Sequence, residues 1–284
     1  MNPLEQMVLA WQCLVYTLRQ TVRPALWVPW LFVGGLQAIV VGALWWFAHP
    51  ALSWFMAPLL NLMIGEEALR YPNVFRVMPA LYARADFVIG VILGSIIVGA
   101  STVLFSACFT GAEVRPSKGL GRAFRRAGPL ILANLPVNLL IIGLSYGIEL
   151  WLANRGSSGT VARMLRLMLV PAAIVIQAFF LYVNALLMLS GRSLLGTLAE
   201  LPHIAARGMW AALLLALLAL APLLPIQLLA MSSNTLVERG APELVGWLVL
   251  GQVLISLFMS FLLAGSSTLV YQSAAVRPAE DDES

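Results

Sequence analysis

Six long runs of apolar residues, with almost no charge inside them, constrain what this chain can fold into. The runs cover residues 25–47, 87–110, 129–150, 167–189, 209–231 and 244–271. Each reaches the roughly 20 residues that an α-helix needs to cross a bilayer, and a helix satisfies its own backbone hydrogen bonds in hydrocarbon. With 61% hydrophobic and 11% charged residues, the chain has too little polar surface for a water-soluble fold. The sequence therefore predicts an all-α polytopic membrane protein with about six transmembrane helices, in a single membrane domain over residues 1–284.

The basic residues predict an orientation for these spans. A dense basic cluster lies in the short connection between spans two and three, and it contains Arg115, Lys118, Arg122, Arg125 and Arg126. If the connections alternate between the two sides, that side carries ten basic residues and the other side seven. Short basic connections stay in the cytoplasm. We therefore expect a multi-pass protein of a bacterial inner membrane with both termini in the cytoplasm, and no nucleic-acid partner.

A short amphipathic stretch precedes each of the first, third and fifth spans. The clearest is residues 2–20, whose apolar side chains recur at three- and four-residue steps: Leu4, Met7, Val8, Trp11, Leu14, Val15 and Leu18. The other two stretches are residues 117–127 and 193–201. We expect about three interfacial helices on the cytoplasmic side. The apolar face of the first helix rests either in lipid or against the rest of the protein.

Each amphipathic stretch enters its span through a basic or glycine-containing corner, at Arg23-Pro24, Ala127-Gly128-Pro129 and Ala206-Arg207-Gly208. Three units of one interfacial helix and two spans would form a threefold internal repeat. The connection over residues 48–86 is too long for a simple turn and is expected to form short helices at the external face. The acidic tail, residues 278–284, is expected to be solvated.

The sequence offers no candidate for a catalytic, cofactor or metal site. The two histidines, His49 and His203, fall on opposite sides of the membrane in this topology, which disfavours a histidine metal centre. No ionisable side chain lies in the middle of a predicted span, whereas intramembrane enzymes and ion-coupled carriers use such groups. We therefore expect a non-enzymatic protein without a cofactor, and the case for ion coupling is weak.

Neutral polar side chains instead form stripes along three spans. The residues are Asn134, Asn138, Ser145 and Glu149 on span three, Gln177 and Asn184 on span four, and Gln252, Ser256 and Ser260 on span six. Stripes that face one another would line a polar path through the protein. Alternatively, they would form interhelical hydrogen bonds, each worth about 1 kcal/mol.

The layout of interfacial helices and paired spans, with the corner over residues 123–130 (AFRRAGPL), resembles a group of bacterial six-span proteins. These proteins are related to the membrane domain of glycerophosphodiester phosphodiesterases. The resemblance implies a membrane-embedded accessory or envelope role, and it transfers no catalytic residue. The chain also lacks the soluble phosphodiesterase domain, so that activity is not expected.

Two functions follow from these observations. The leading one is a non-enzymatic scaffold or lipid-interacting component, in which the basic cluster holds anionic lipid headgroups or a partner subunit. The alternative is a permease-like subunit of a transporter, which moves a small or lipidic solute along the polar stripes.

Overall fold

The computed structural model describes residues 1–47, 49–65, 70–155 and 159–276, and over these residues every regular element is helical. The α-helices are α1 (Pro3–Arg19), α2 (Pro24–Trp45), α3 (Pro50–Ile64), α4 (Asn73–Ile89), α5 (Ser95–Phe109), α6 (Pro116–Arg125), α7 (Ala127–Arg155), α8 (Gly159–Phe180), α9 (Val183–Leu189), α10 (Leu194–Leu220), α11 (Leu223–Met231), α12 (Ser233–Glu238) and α13 (Glu243–Val276). A 3₁₀ turn follows α1, and a π-helical segment joins α4 to α5. The predicted acidic tail, residues 278–284, lies outside the described residues.

Six helical segments are long and apolar enough to cross a membrane, as the sequence predicts. They are Pro24–Trp45, Asn73–Phe109, Ala127–Leu152, Met168–Leu189, Leu194–Leu220 and Glu243–Ser273. This confirms the all-helical class and the number of span-length helices, and it supports a multi-pass membrane protein.

Two of these segments differ from the predicted spans. Helix α4 does not end before span two, because the π-helical segment carries it into α5 and makes one helix over Asn73–Phe109. Predicted span five is interrupted, since α10 ends at Leu220 and α11 begins after Pro222. A proline has no amide hydrogen to continue the backbone ladder, which explains a break there.

The chain divides into two compact units. Within the described residues, unit 1 comprises residues 1–29, 94–220 and 260–276, and unit 2 comprises residues 30–93 and 221–259. In unit 1, α1 packs against α10, and α5 packs against α6 and α9. Small residues allow this packing, as at Gly265, where an added Cβ atom would lie 2.4 Å from a methyl carbon of Thr17.

The core of unit 2 is formed by aliphatic and aromatic side chains from α2, α3, α4, α12 and α13. Met78 and Tyr82 of α4 and Val245 of α13 are among its fully buried members. Helix α13 approaches α2 closely at Gly246, where an added Cβ atom would lie 2.5 Å from the Trp45 ring. A side chain at this position would push the two helices apart.

Similar backbone breaks precede two of the long helices of unit 1. Arg126, between α6 and α7, has φ −111° and ψ 19°, and Gly208, inside α10, has φ −111° and ψ 17°. Both breaks fall at the corners predicted from the sequence. At Gly208 the Tyr182 hydroxyl donates to the carbonyl oxygen at 3.1 Å, and an added Cβ atom would lie 2.8 Å from that hydroxyl. A residue without a side chain is therefore required at this corner.

Candidate functional site

Three of the five residues of the basic cluster lie on one face of α6. The opposite side of this helix is held by Gly119 and Ala123, which are buried. At Gly119 an added Cβ atom would lie 2.9 Å from the Leu104 side chain of α5, so the two helices are in close contact. Lys118, Arg122 and Arg125 are exposed and recur at four- and three-residue steps. At 100° per residue, these three side chains lie within about 60° of one another around the helix. Of these three, Arg125 donates its Nε–H to the Gly121 carbonyl oxygen of its own helix at 3.3 Å.

The other two basic residues of the cluster have partners outside α6. Arg115 forms an ion pair with Glu113. Arg126 donates one guanidinium N–H to the Leu187 carbonyl oxygen at 2.5 Å and another to the Gly191 carbonyl oxygen at 3.3 Å. These carbonyl oxygens belong to the end of α9 and to the turn after it. The guanidinium of Arg126 therefore caps a helix C-terminus, where a positive charge is favourable.

Helix α1 packs through its less apolar face. Gln6, Ala10, Cys13 and Thr17 are its buried residues. The exposed side of the helix carries a stripe of large apolar side chains: Leu4, Val8, Trp11 and Leu18. Burial raises the pKa of the Cys13 thiol to about 11, so this thiol is neutral at physiological pH.

Part of the polar stripes meets in unit 1. Asn134 of α7 and Asn184 of α9 bond to each other reciprocally, each amide nitrogen donating to the other's oxygen, at 2.8 Å and 3.1 Å. Beside them is a cavity of about 190 Å³, whose polar lining residues are Asn134, Gln177, Asn184, Ser260 and Ser267. Among the described residues, the Gln177 side chain has no hydrogen-bond partner, so its amide remains available to a molecule in the cavity.

The remaining stripe residues do not line this cavity. The Asn138 side chain donates to the Asn134 carbonyl oxygen, one turn earlier in its own helix, at 2.9 Å. Gln252 and Ser256 lie in unit 2. The side chains of Ser145 and Glu149 lie outside the described part of the structure. The structure thus brings together four of these nine stripe residues. Ser267, which the seven-residue spacing from Ser260 places on the same span-six stripe, also lies at the cavity wall.

One polar cluster of unit 2 escapes the sequence analysis. The sequence places Asp86 at the end of the predicted external connection, but Asp86 lies inside the continuous helix Asn73–Phe109. Its carboxyl group accepts hydrogen bonds from Gln37 and Tyr82. The sequence signal for this cluster is Gln37, an amide at four-residue spacing from Val33 and Val41. These three residues lie on one buried helix face. A buried amide requires a polar partner.

Comparison with known proteins gives no match to a protein-family model, to a curated protein or to a solved structure. The resemblance to the membrane domain of glycerophosphodiester phosphodiesterases therefore stays a prediction. The geometry offers two candidate sites, the basic face of α6 and the polar cavity of unit 1.

Proposed function

We propose that this chain is a non-enzymatic protein of a bacterial inner membrane, and that helix α6 binds anionic lipid headgroups at the cytoplasmic face. Both termini lie in the cytoplasm in this proposal, and α1 and α6 are interfacial helices. Membrane lipids are the main partners, and the same basic face is open to an acidic surface on another membrane or cytoplasmic subunit.

The exposed triad of Lys118, Arg122 and Arg125 carries the proposal. Close packing at Gly119 and Ala123 fixes the helix, so the three charges are displayed in one direction without an acidic partner among the described ion pairs. Each basic residue near an anionic surface contributes about 1 kcal/mol. Helix α1 adds support, because its exposed apolar stripe suits the hydrocarbon boundary at the same membrane surface.

The test is the triple variant Lys118→Gln/Arg122→Gln/Arg125→Gln, measured by titrating short-chain phosphatidylglycerol onto the purified protein in neutral detergent. Loss of about 3 kcal/mol predicts an affinity about 100-fold lower than that of the unchanged protein. Arg126 is left in place because it holds the end of α9.

The matched control is Arg70→Gln/Arg84→Gln/Arg239→Gln, which removes the same charge from three other exposed positions. The control should retain the affinity of the unchanged protein within about twofold. Equal losses in both variants would mean that net charge, rather than the α6 face, attracts the lipid.

The cavity in unit 1 favours a second candidate, a permease-like subunit. Its lining is neutral and rich in amides and hydroxyls, which suits an uncharged hydrogen-bonding solute. Glycerol is a suitable probe, followed by the shrinkage and reswelling of proteoliposomes. Gln177→Leu should slow glycerol flux at least about tenfold, because it replaces the unbonded amide of the cavity with an apolar side chain.

Asn138→Leu is the matched control, since Asn138 is an amide of the span-three stripe that does not line the cavity. If both variants fold and transport glycerol like the unchanged protein, the cavity is a packing defect between helices and the permease proposal fails.

A threefold repeat remains part of the proposal. It is supported by the matching dihedral angles at Arg126 and Gly208. The sequence gives a second likeness, since residues 101–105 (STVLF) resemble residues 267–271 (STLVY). In these segments, Thr102 and Thr268 each donate to a carbonyl oxygen four residues earlier.

A further inference from the structure

Gln37 interrupts an otherwise apolar buried face of α2. The face consists of Trp30, Val33, Gln37, Val41 and Leu44, and each of these residues is at most 6% exposed. Gln37 lies eight residues before Trp45, which places it about 12 Å along the helix from that aromatic end. Burying an amide among apolar side chains costs free energy unless its hydrogen bonds are made.

The partner of Gln37 is the carboxyl group of Asp86. The Gln37 amide nitrogen donates to Asp86 Oδ1 at 2.5 Å, and the Tyr82 hydroxyl donates to the same oxygen at 3.3 Å. Tyr82 is 2% exposed. The short distance to Gln37 places the carboxyl group at the depth of Gln37, inside the apolar part of α2. An ionisable group at such a depth is a candidate functional site.

No cation is placed to neutralise this carboxyl group within the described residues. Helices α2 and α3 contain no ionisable side chain, and neither does α13 between Glu243 and Tyr271. On α4, Arg84 is exposed and lies about 200° around the helix from Asp86.

The remaining charged groups of the packed elements either have other partners or are exposed, as Arg70 and Arg239 are. Arg76 of α4 pairs with Glu238 of α12 at 3.9 Å, and Glu243 of α13 accepts from Tyr71. His49, which precedes α3, is exposed. Asp86 itself is half-buried. A carboxylate there would therefore be a partly buried charge that only neutral donors stabilise, which is costly beside the apolar face of α2.

One hydrogen-bond acceptor among these three side chains has no donor. Gln37 Oε1 is buried and has no hydrogen-bond donor among the described residues. Because the amide oxygen and nitrogen can exchange places by rotation of the side chain, Gln37 can either donate to a carboxylate or accept from a carboxylic acid. In the second arrangement, a proton on Asp86 removes the carboxylate charge and gives Gln37 Oε1 a donor, while the amide nitrogen gives up its hydrogen bond to Asp86.

We propose that Asp86, Gln37 and Tyr82 form a proton-binding site in unit 2, in which the half-buried Asp86 holds an exchangeable proton beside two buried side chains. Binding adds one proton to a carboxylate oxygen, and release returns it without any other bond change. The site is independent of the lipid-binding face of α6. It also changes the expectation about ion coupling, since that expectation assumed that no ionisable residue lies inside a span.

The experiment is infrared spectroscopy of the purified full chain in lipid, which detects the carbonyl stretch of a protonated carboxylic acid. At neutral pH, we expect an acid band that disappears in Asp86→Asn and persists in Glu238→Gln, the control for an exposed carboxylate. Gln37→Leu and Tyr82→Phe should shift the frequency of the band, because each removes a hydrogen-bond partner of the acid. These two variants also test the assignment if Asp86→Asn does not fold.

A second arm separates the proton from a metal cation. The spectra are recorded with sodium chloride and with choline chloride, and the acid band should be the same in both. The proposal is overturned if no Asp86-dependent acid band exists at any pH. It is also overturned if Na⁺ abolishes the band at constant pH, because the site would then bind a metal cation in place of the proton.

Discussion

In unit 1 the half-buried amides of Asn134 and Asn184 bond to each other, whereas in unit 2 the buried amide of Gln37 bonds to the carboxyl group of Asp86. The first pair is neutral and each amide both donates and accepts. The second pair contains an ionisable member and leaves an amide oxygen without a donor. Two reciprocal amides hold their helices together in one protonation state. An acid bonded to an amide has two hydrogen-bonded states, which differ by one proton.

The largest expected effect comes from removing one partner in unit 2. Gln37→Leu should lower the free energy of unfolding by about 2 kcal/mol, since it takes away the closer donor to Asp86. The loss should grow as the pH rises, because the carboxylate needs that donor more than the carboxylic acid does. Thermal unfolding in detergent at several pH values measures it. A loss independent of pH would indicate that Asp86 keeps one protonation state throughout.

A smaller effect is expected from the amide pair of unit 1. Asn184→Leu should cost about 1 kcal/mol at every pH, because it leaves Asn134 Oδ1 without a donor, while the Asn134 amide nitrogen keeps its bond to the Leu130 carbonyl oxygen. Adding Asn134→Leu should recover part of this loss, since both polar groups are then gone. A double-mutant cycle gives the coupling energy. Additive losses would show that the two amides do not stabilise each other.

The smallest effect is expected at an exposed pair in unit 2, which has the same chemistry as Tyr82 and Asp86. The Tyr71 hydroxyl donates to Glu243 at 2.9 Å, and this hydrogen bond raises the pKa of Tyr71. A pKa raised in the folded state means that the contribution is present below the ordinary tyrosine pKa and is lost as the pH rises through the raised value.

Tyr71→Phe should therefore lower the thermal midpoint only slightly at neutral pH, because Tyr71 is exposed. In the alkaline range, the unchanged protein should lose this small advantage and become as stable as the variant. A clear drop in midpoint at neutral pH would mean that exposed and buried hydroxyl–carboxyl pairs contribute alike in this unit.

The sequence predicts the span-length helices well, because length and hydropathy suffice for them. It misplaces the start of span two because Arg84 and Asp86 are charged, and hydropathy treats charged residues as the end of a span. Helix α4 continues past them since Arg84 is exposed and Asp86 has internal partners. The closer partner, Gln37, comes from another helix 49 residues away in sequence, so no local pattern contains it.

The site residues show the same limit. Spacing alone groups Arg126 with the exposed cations and Asn138 with the cavity amides. The structure separates them, because Arg126 bonds to carbonyl oxygens of another segment and Asn138 bonds to its own helix. Likewise, the apolar periodicity of α1 identifies a helix but does not tell which face packs. Close contact with α10 and α13 requires small side chains, so Ala10, Cys13 and Thr17 face the protein.

The contacts of α1 also bear on the order of assembly. Gln6 accepts from the backbone N–H of Trp210, just after the Gly208 break, and Thr17 accepts from Ser266. These partners are more than 200 residues later in the chain. During synthesis, α1 leaves the ribosome long before either partner exists, so its polar face must stay hydrated or be shielded by an insertion factor until α13 emerges. Docking of the first helix is therefore a final step of folding, and nascent chains arrested before Trp210 should leave α1 open to protease.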